Sequence, residues 1–131
     1  MGREEEMPSR ERPISVFRVF DADDDLTQNT NKTSDAIDLN GRANNGVFSL
    51  QVNISSSSTS TSITITYLVS NDGENFVTPA TANDIATAVD VSSGKDEIYE
   101  FEPEFARWIQ IKITENNAGT VVDPVCDLAV Q

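Results

Sequence analysis

The stretch that most constrains the fold is residues 63–76, ITITYLVSNDGENF. Ile63, Ile65, Tyr67 and Val69 alternate with Thr64, Thr66, Leu68 and Ser70, the two-residue period of a half-buried β-strand. Asn71, Asp72 and Gly73 follow and supply turn chemistry. Asn and Asp tolerate left-handed backbone and bond their own main chain, and Gly accepts positive φ without a Cβ clash. Asn75, Phe76 and Val77 then begin a return strand, with Phe76 expected to drop back onto the same layer. A strand, a tight turn and a strand place this segment at the centre of a β-sandwich.

The rest of the chain repeats that grammar. Residues 14–20 (ISVFRVF), 36–39 (AIDL) and 47–54 (VFSLQVNI) read as strands, the last with Phe48, Leu50, Val52 and Ile54 on one face. The SSSSTSTS run at 55–62 is low in complexity and reads as a flexible, solvated tip joining 48–54 to 63–69 in a hairpin. Residues 27–34 read as polar loop. Val, Thr and Ile favour a strand over a helix at 85–91. Further strands fall at 98–101, with Tyr99 and Phe101 pointing together, at 107–114 (RWIQIKIT) and at 125–130. In 107–114, Ile109, Ile111 and Ile113 face inward, and Trp108, Gln110 and Lys112 face the other way. About eight short strands between turn signals predict an all-β, antiparallel two-sheet sandwich. Residues 1–13 carry charges of both signs, Pro8 and Pro13, and little to bury. They read as an extended N-terminal arm, disordered in isolation, before a single domain at 14–131.

Composition narrows the chemistry. The chain of 131 residues has no His, which removes the usual neutral-pH base and any Ser-His or Cys-His nucleophile pair. Cys126 is the sole cysteine, so no internal disulfide is available, and it reads as a small core hydrophobe. The net charge of −13 repels nucleic-acid phosphates and anionic lipid, and there is no long apolar run to cross a membrane. Asp21, Asp23, Asp24 and Asp25 resemble the opening of a calcium loop. The positions that should then be Gly and Glu are Leu26 and Lys32, so an acidic turn is the preferred reading over a metal site. Paired carboxylates are inevitable among twenty-two acids and do not by themselves indicate glycoside chemistry. No catalytic residue and no cofactor is expected.

Two resemblances add to this reading. The segments ITYLVSNDGENF and FEPEFARWIQIKITENN resemble the discoidin-like, galactose-binding-like jelly roll, through Ser70, Asp72, Gly73 and Phe76 and then through residues 106–111, ARWIQI. That likeness implies a jelly roll; apart from it, a tight hairpin beside a β-rich strand leaves Arg107 able to pair with a nearby carboxylate or carbonyl. The segments VSNDGENFVTP (69–79), GKDEIYEFEP (94–103), IKITENN (111–117) and LAVQ (128–131) are similar to small structural proteins of tailed bacteriophages. This second likeness implies a virion component, made in the bacterial cytoplasm and assembled with the major capsid protein or other virion proteins. The expectation is a capsid decoration protein acting as a symmetric oligomer, with a trimer favoured. Its contact residues are then Arg3, Arg10, Arg12 and Ile14 of the arm, together with Trp108. The alternatives are a tail or neck component, or a carbohydrate-binding module using Trp108, Tyr67, Tyr99 or Phe76 as a platform.

Overall fold

A computed structural model describes residues 14–40, 46–80 and 83–131. These residues form two antiparallel sheets packed face to face. The strands are β1 (Ser15–Phe20), β2 (Asn31–Thr33), β3 (Ile37–Asp38), β4 (Phe48–Ile54), β5 (Ile63–Ser70), β6 (Ala86–Val89), β7 (Lys95–Phe101), β8 (Trp108–Glu115) and β9 (Val125–Val130). One sheet has the order β1-β9-β4-β7; the other has β2-β8-β5-β6, with β3 also paired to β8. Counting β2 and β3 as one interrupted run, successive runs alternate direction along the sandwich. This is the wrapped arrangement of a jelly roll.

The alternation read from the sequence sets which faces meet. Leu50, Val52, Cys126 and Leu128 of the first sheet pack against Ile65, Tyr67, Ile109, Ile111 and Ile113 of the second, all buried. Tyr99 and Phe101 join them from β7, and the Phe101 ring lies 5.6 Å from those of Phe48 and Tyr67. Cys126 is fully buried, as expected, and burial pushes its thiol up to about 12.

Four expectations are corrected. β4 and β5 do not form a hairpin: β4 pairs with β7 and β9, and β5 with β6 and β8, in opposite sheets. Both strands carry a wholly apolar face, and such faces are better buried against each other across the core than side by side in one sheet. Residues 55–62 therefore arch from sheet to sheet and are not a solvated tip. Ser58 and Ser60 are buried there, and the arch bonds through its main chain to Val122, Thr120 and Val91. Within 27–34, Asn31–Thr33 is a strand held by β8, so a polar segment became sheet through main-chain pairing that its side chains do not announce. The return after Gly73 is only a bridge between Val69 and Val77, with Phe76 half-buried and outside the core.

The register defines two poles. Ser15, Val130, Phe48 and Phe101 lie in one row across the first sheet, and Ser70 pairs with Trp108 in the second. The turn after β5, the β7–β8 connection and the point where the chain enters β1 therefore share one pole. The acidic turn after β1, the serine arch and residues 116–124 share the other.

Candidate functional site

At the far pole, β8 ends in Glu115, whose carboxylate is 1% exposed. Its Oε2 accepts a hydrogen bond from Ser60 Oγ at 2.5 Å and a longer one from Gly119 N at 3.4 Å. Its Oε1 accepts from Asn29 N at 2.9 Å and Asn117 N at 3.0 Å. Burial opposes the charge, but the Ser60 hydroxyl and the three N–H groups outweigh it and hold the carboxyl below the ordinary glutamate range. One acid thus ties three loops together. Gly119 completes the joint, because a Cβ there would sit 2.4 Å from Ser60 Cα.

The aspartates after β1 are engaged locally. Asp24 Oδ2 accepts the Asp21 N–H at 2.8 Å, Asp25 Oδ1 accepts the Asp123 N–H at 2.8 Å, and Lys32 lies 3.6 Å from Asp24. Among the described residues, no group of three or more His, Cys, Asp or Glu side chains is placed to hold a metal ion, and no helix is long and apolar enough to cross a membrane.

The near pole brings together the two segments that carry the sequence resemblances. Asn71, Asp72 and Gly73 form a tight turn, with Gly73 at φ 76°. Ser70 Oγ accepts the Gly73 N–H at 2.9 Å, and Asp72 Oδ1 accepts the N–H groups of Glu74 and Asn75 at 2.9 and 2.8 Å. The bonds from Asn75, then those from Glu74 and Ser70, pull the Asp72 carboxyl far below the usual aspartate range. Asn71 Oδ1 accepts the Arg107 N–H at 3.1 Å and so fastens the turn to the start of β8.

Arg107 forms the expected ion pair. Its Nε and Nη2 donate to the two oxygens of Asp38 at 3.2 and 3.1 Å, and its guanidinium carbon lies 4.3 Å from the centre of the Trp108 ring. Trp108 is half-buried, since a Cβ on Gly73 would come within 3.2 Å of its indole. Arginine and turn thus cover part of the surface proposed for contact. Ile14 is 60% exposed at this same pole, where it enters edge strand β1. Arg3, Arg10 and Arg12 lie outside the described residues. Of the candidate sugar platforms, Tyr67 is buried and its hydroxyl donates to Glu104 Oε1 at 2.6 Å; burial, then that carboxylate, raises its pKa far above the ordinary tyrosine value.

Sequence reasoning missed Phe105. It stands 103% exposed in the β7–β8 connection, between two depressions. One is a cleft of about 370 Å³ whose lining includes Leu39, Phe48, Asn71, Pro103 and Arg107. The other is shallower and includes Asn75 and the exposed Val77. Glu104 joins the cleft to an acidic hollow that also holds Asp84, Glu100 and Glu102. In the sequence FEPEFARW, Phe101, Pro103 and Phe105 continue the two-residue alternation, so the pattern alone assigns Phe105 to the core face and hides its exposure.

The fold and this pole define a jelly-roll sandwich with an apolar knob at one end. The sequence matches no protein-family profile and no curated protein. Among solved structures it is similar to chains of infectious bursal disease virus. For the Gx strain the TM-score is 0.53 at 9% identity, over 90% of this chain and 32% of that one. For the Gt strain it is 0.52 at 11% identity, over 90% and 33%. The chain thus spans about a third of the viral chains it matches. A xylan-binding CBM22-1 domain of Paenibacillus barcinonensis Xyn10C overlaps with TM-score 0.40 at 12% identity, over 90% of this chain and 82% of that domain. At these identities the likeness to the viral chains establishes the sandwich fold.

Proposed function

We propose that this protein is a non-enzymatic structural component of a virus particle. The narrower reading is a tailed-phage capsid decoration protein that docks on the major capsid protein as a symmetric oligomer, with three copies favoured. The observation that carries the proposal is Phe105, fully exposed on the pole where the N-terminal segment enters the body. Burying such a ring releases about 1.5–3 kcal/mol, which an isolated monomer forgoes and an assembly recovers. The overlay on chains of a virus particle supports the reading. In this reading contacts spread over a shell stabilise it without turnover.

Deleting residues 1–13 should leave a cooperatively folded body and lower occupancy on shells that lack the protein. Unchanged occupancy refutes the docking role. Carbohydrate binding is the second reading, favoured by the Phe105 ring beside Asn71 and Arg107 at the cleft. A glycan array with specific binding that Phe105→Ala abolishes would put it first.

A further inference from the structure

The cleft beside Phe105 has the chemistry and position to receive a segment of this same polypeptide. Its lining joins the apolar Leu39, Phe48 and Pro103 to the exposed Phe105 ring, and through Glu104 it opens onto Asp84, Glu100 and Glu102. Among the described residues, the cation lining the cleft is Arg107, which is engaged by Asp38. An occupant that fits therefore offers an apolar group together with cations.

Residues 7–13, MPSRERP, carry that pattern. Met7 and Pro8 suit the apolar floor, Met being the side chain that adapts best to an irregular gap. Arg10 and Arg12 lie on one side of an extended chain and can face the carboxylates. The balance of charge agrees: residues 14–131 hold eighteen of the twenty-two acids but six of the nine cations.

The register says where the segment starts. Ser15 pairs with Val130 and Val130 with Phe48, so the entry to β1 is two strand spacings, about 10 Å, from a residue that lines the cleft. Thirteen residues reach up to roughly 43 Å when extended, enough to cross to a neighbouring molecule. Pro13 biases Arg12 towards extended backbone, and residues 8–14 contain no Gly, Asn or Asp to reverse the chain. Reaching outwards is favoured over folding back.

We infer that the cleft beside Phe105 binds residues 7–12 of a second copy of this chain, so that exchange of N-terminal segments builds the oligomer. The inference rests on the proposed assembly role and names its subunit contact. It stands or falls on the purified protein, and attachment to shells is measured separately. Failure to exchange segments and failure to decorate a particle are therefore distinguishable.

The test is light scattering on the full chain, on a chain lacking residues 1–13, on Phe105→Ser and on the double variant R10E/R12E. Phe105 is fully exposed and the arginines precede β1, so each variant should fold. The full chain should be oligomeric, and the three variants monomeric at the same concentration. Mixing the truncated chain, which keeps its cleft, with Phe105→Ser, which keeps its segment, should restore a mixed assembly. A synthetic peptide of residues 1–13 should bind the truncated chain, about tenfold more weakly or worse when that chain carries Phe105→Ser, and more weakly as salt rises. A monomeric full chain, an oligomer that survives truncation, or a peptide that binds Phe105→Ser equally well would overturn the inference. Failure of the two variants to complement each other would do the same.

Discussion

Replacing Glu115 by Gln tests whether one buried acid holds the far pole together. The carboxylate accepts from Ser60, Asn29, Asn117 and Gly119 and has no cation among these partners. Gln keeps the shape and one acceptor oxygen. Its NH2 group must then sit where Oε2 was, facing the Gly119 N–H donor and forcing the Ser60 hydroxyl to turn. Hydrogen bonds to a charged acceptor are worth about 1.5–3 kcal/mol and neutral ones about 1, so weakening the set should cost about 2–4 kcal/mol. For a chain of this size that lowers Tm by roughly 8–16 °C. The pH dependence has a definite sign. The folded carboxyl titrates below its unfolded value, so the stabilisation is present above about pH 4.3 and fades as pH falls through the folded value. Urea unfolding should therefore show a constant gap between wild type and Glu115→Gln from pH 8 to about 5, closing in stronger acid. Glu74→Gln, on the exposed turn, serves as the control and should change little. A neutral Glu115→Gln variant, or a gap that persists unchanged in acid, would refute the account.

Two further outcomes follow from contacts described above. Gly119→Ala should destabilise by about 2 kcal/mol or more in urea unfolding, because the new methyl must displace the Ser60 backbone and not a flexible side-chain tip. Cys126 should resist a thiol reagent at pH 8 until denaturant unfolds the chain, since its buried thiol titrates near 12; labelling of the native protein at the rate of a free thiol would contradict the packing.

The strands were legible wherever one face is buried. Val125–Val130 emerged with the bounds read from sequence, and Phe48–Ile54 and Trp108–Glu115 within a residue, because alternation of Leu, Ile and Val with polar residues is a local signal. Pairing was less legible. The arch at 55–62 reads as a solvated tip because serine is small and polar, yet Ser60 is fully buried by the close approach of Gly119 and by the carboxylate it serves. Glu115 looked like the end of a strand; its role depends on Asn29 and Ser60, distant in sequence. At the near pole, the conjunction of Asn71–Gly73 with Arg107 and Trp108 was foreseeable from their motifs. Phe105 was not, because a lone aromatic in a connection reads as core until its neighbours are placed.

The pairing of Ser15 with Val130 has a mechanical consequence. Segments joined before β1 and after β9 leave side by side, so pulling them apart loads the β1–β9 hydrogen bonds one after another and peels β1 from its sheet. Tension between the N-terminal segment and the far pole instead runs along β1 and stresses the whole row together. A protein tethered by that segment and pulled from the opposite end would meet force in its stiffer direction.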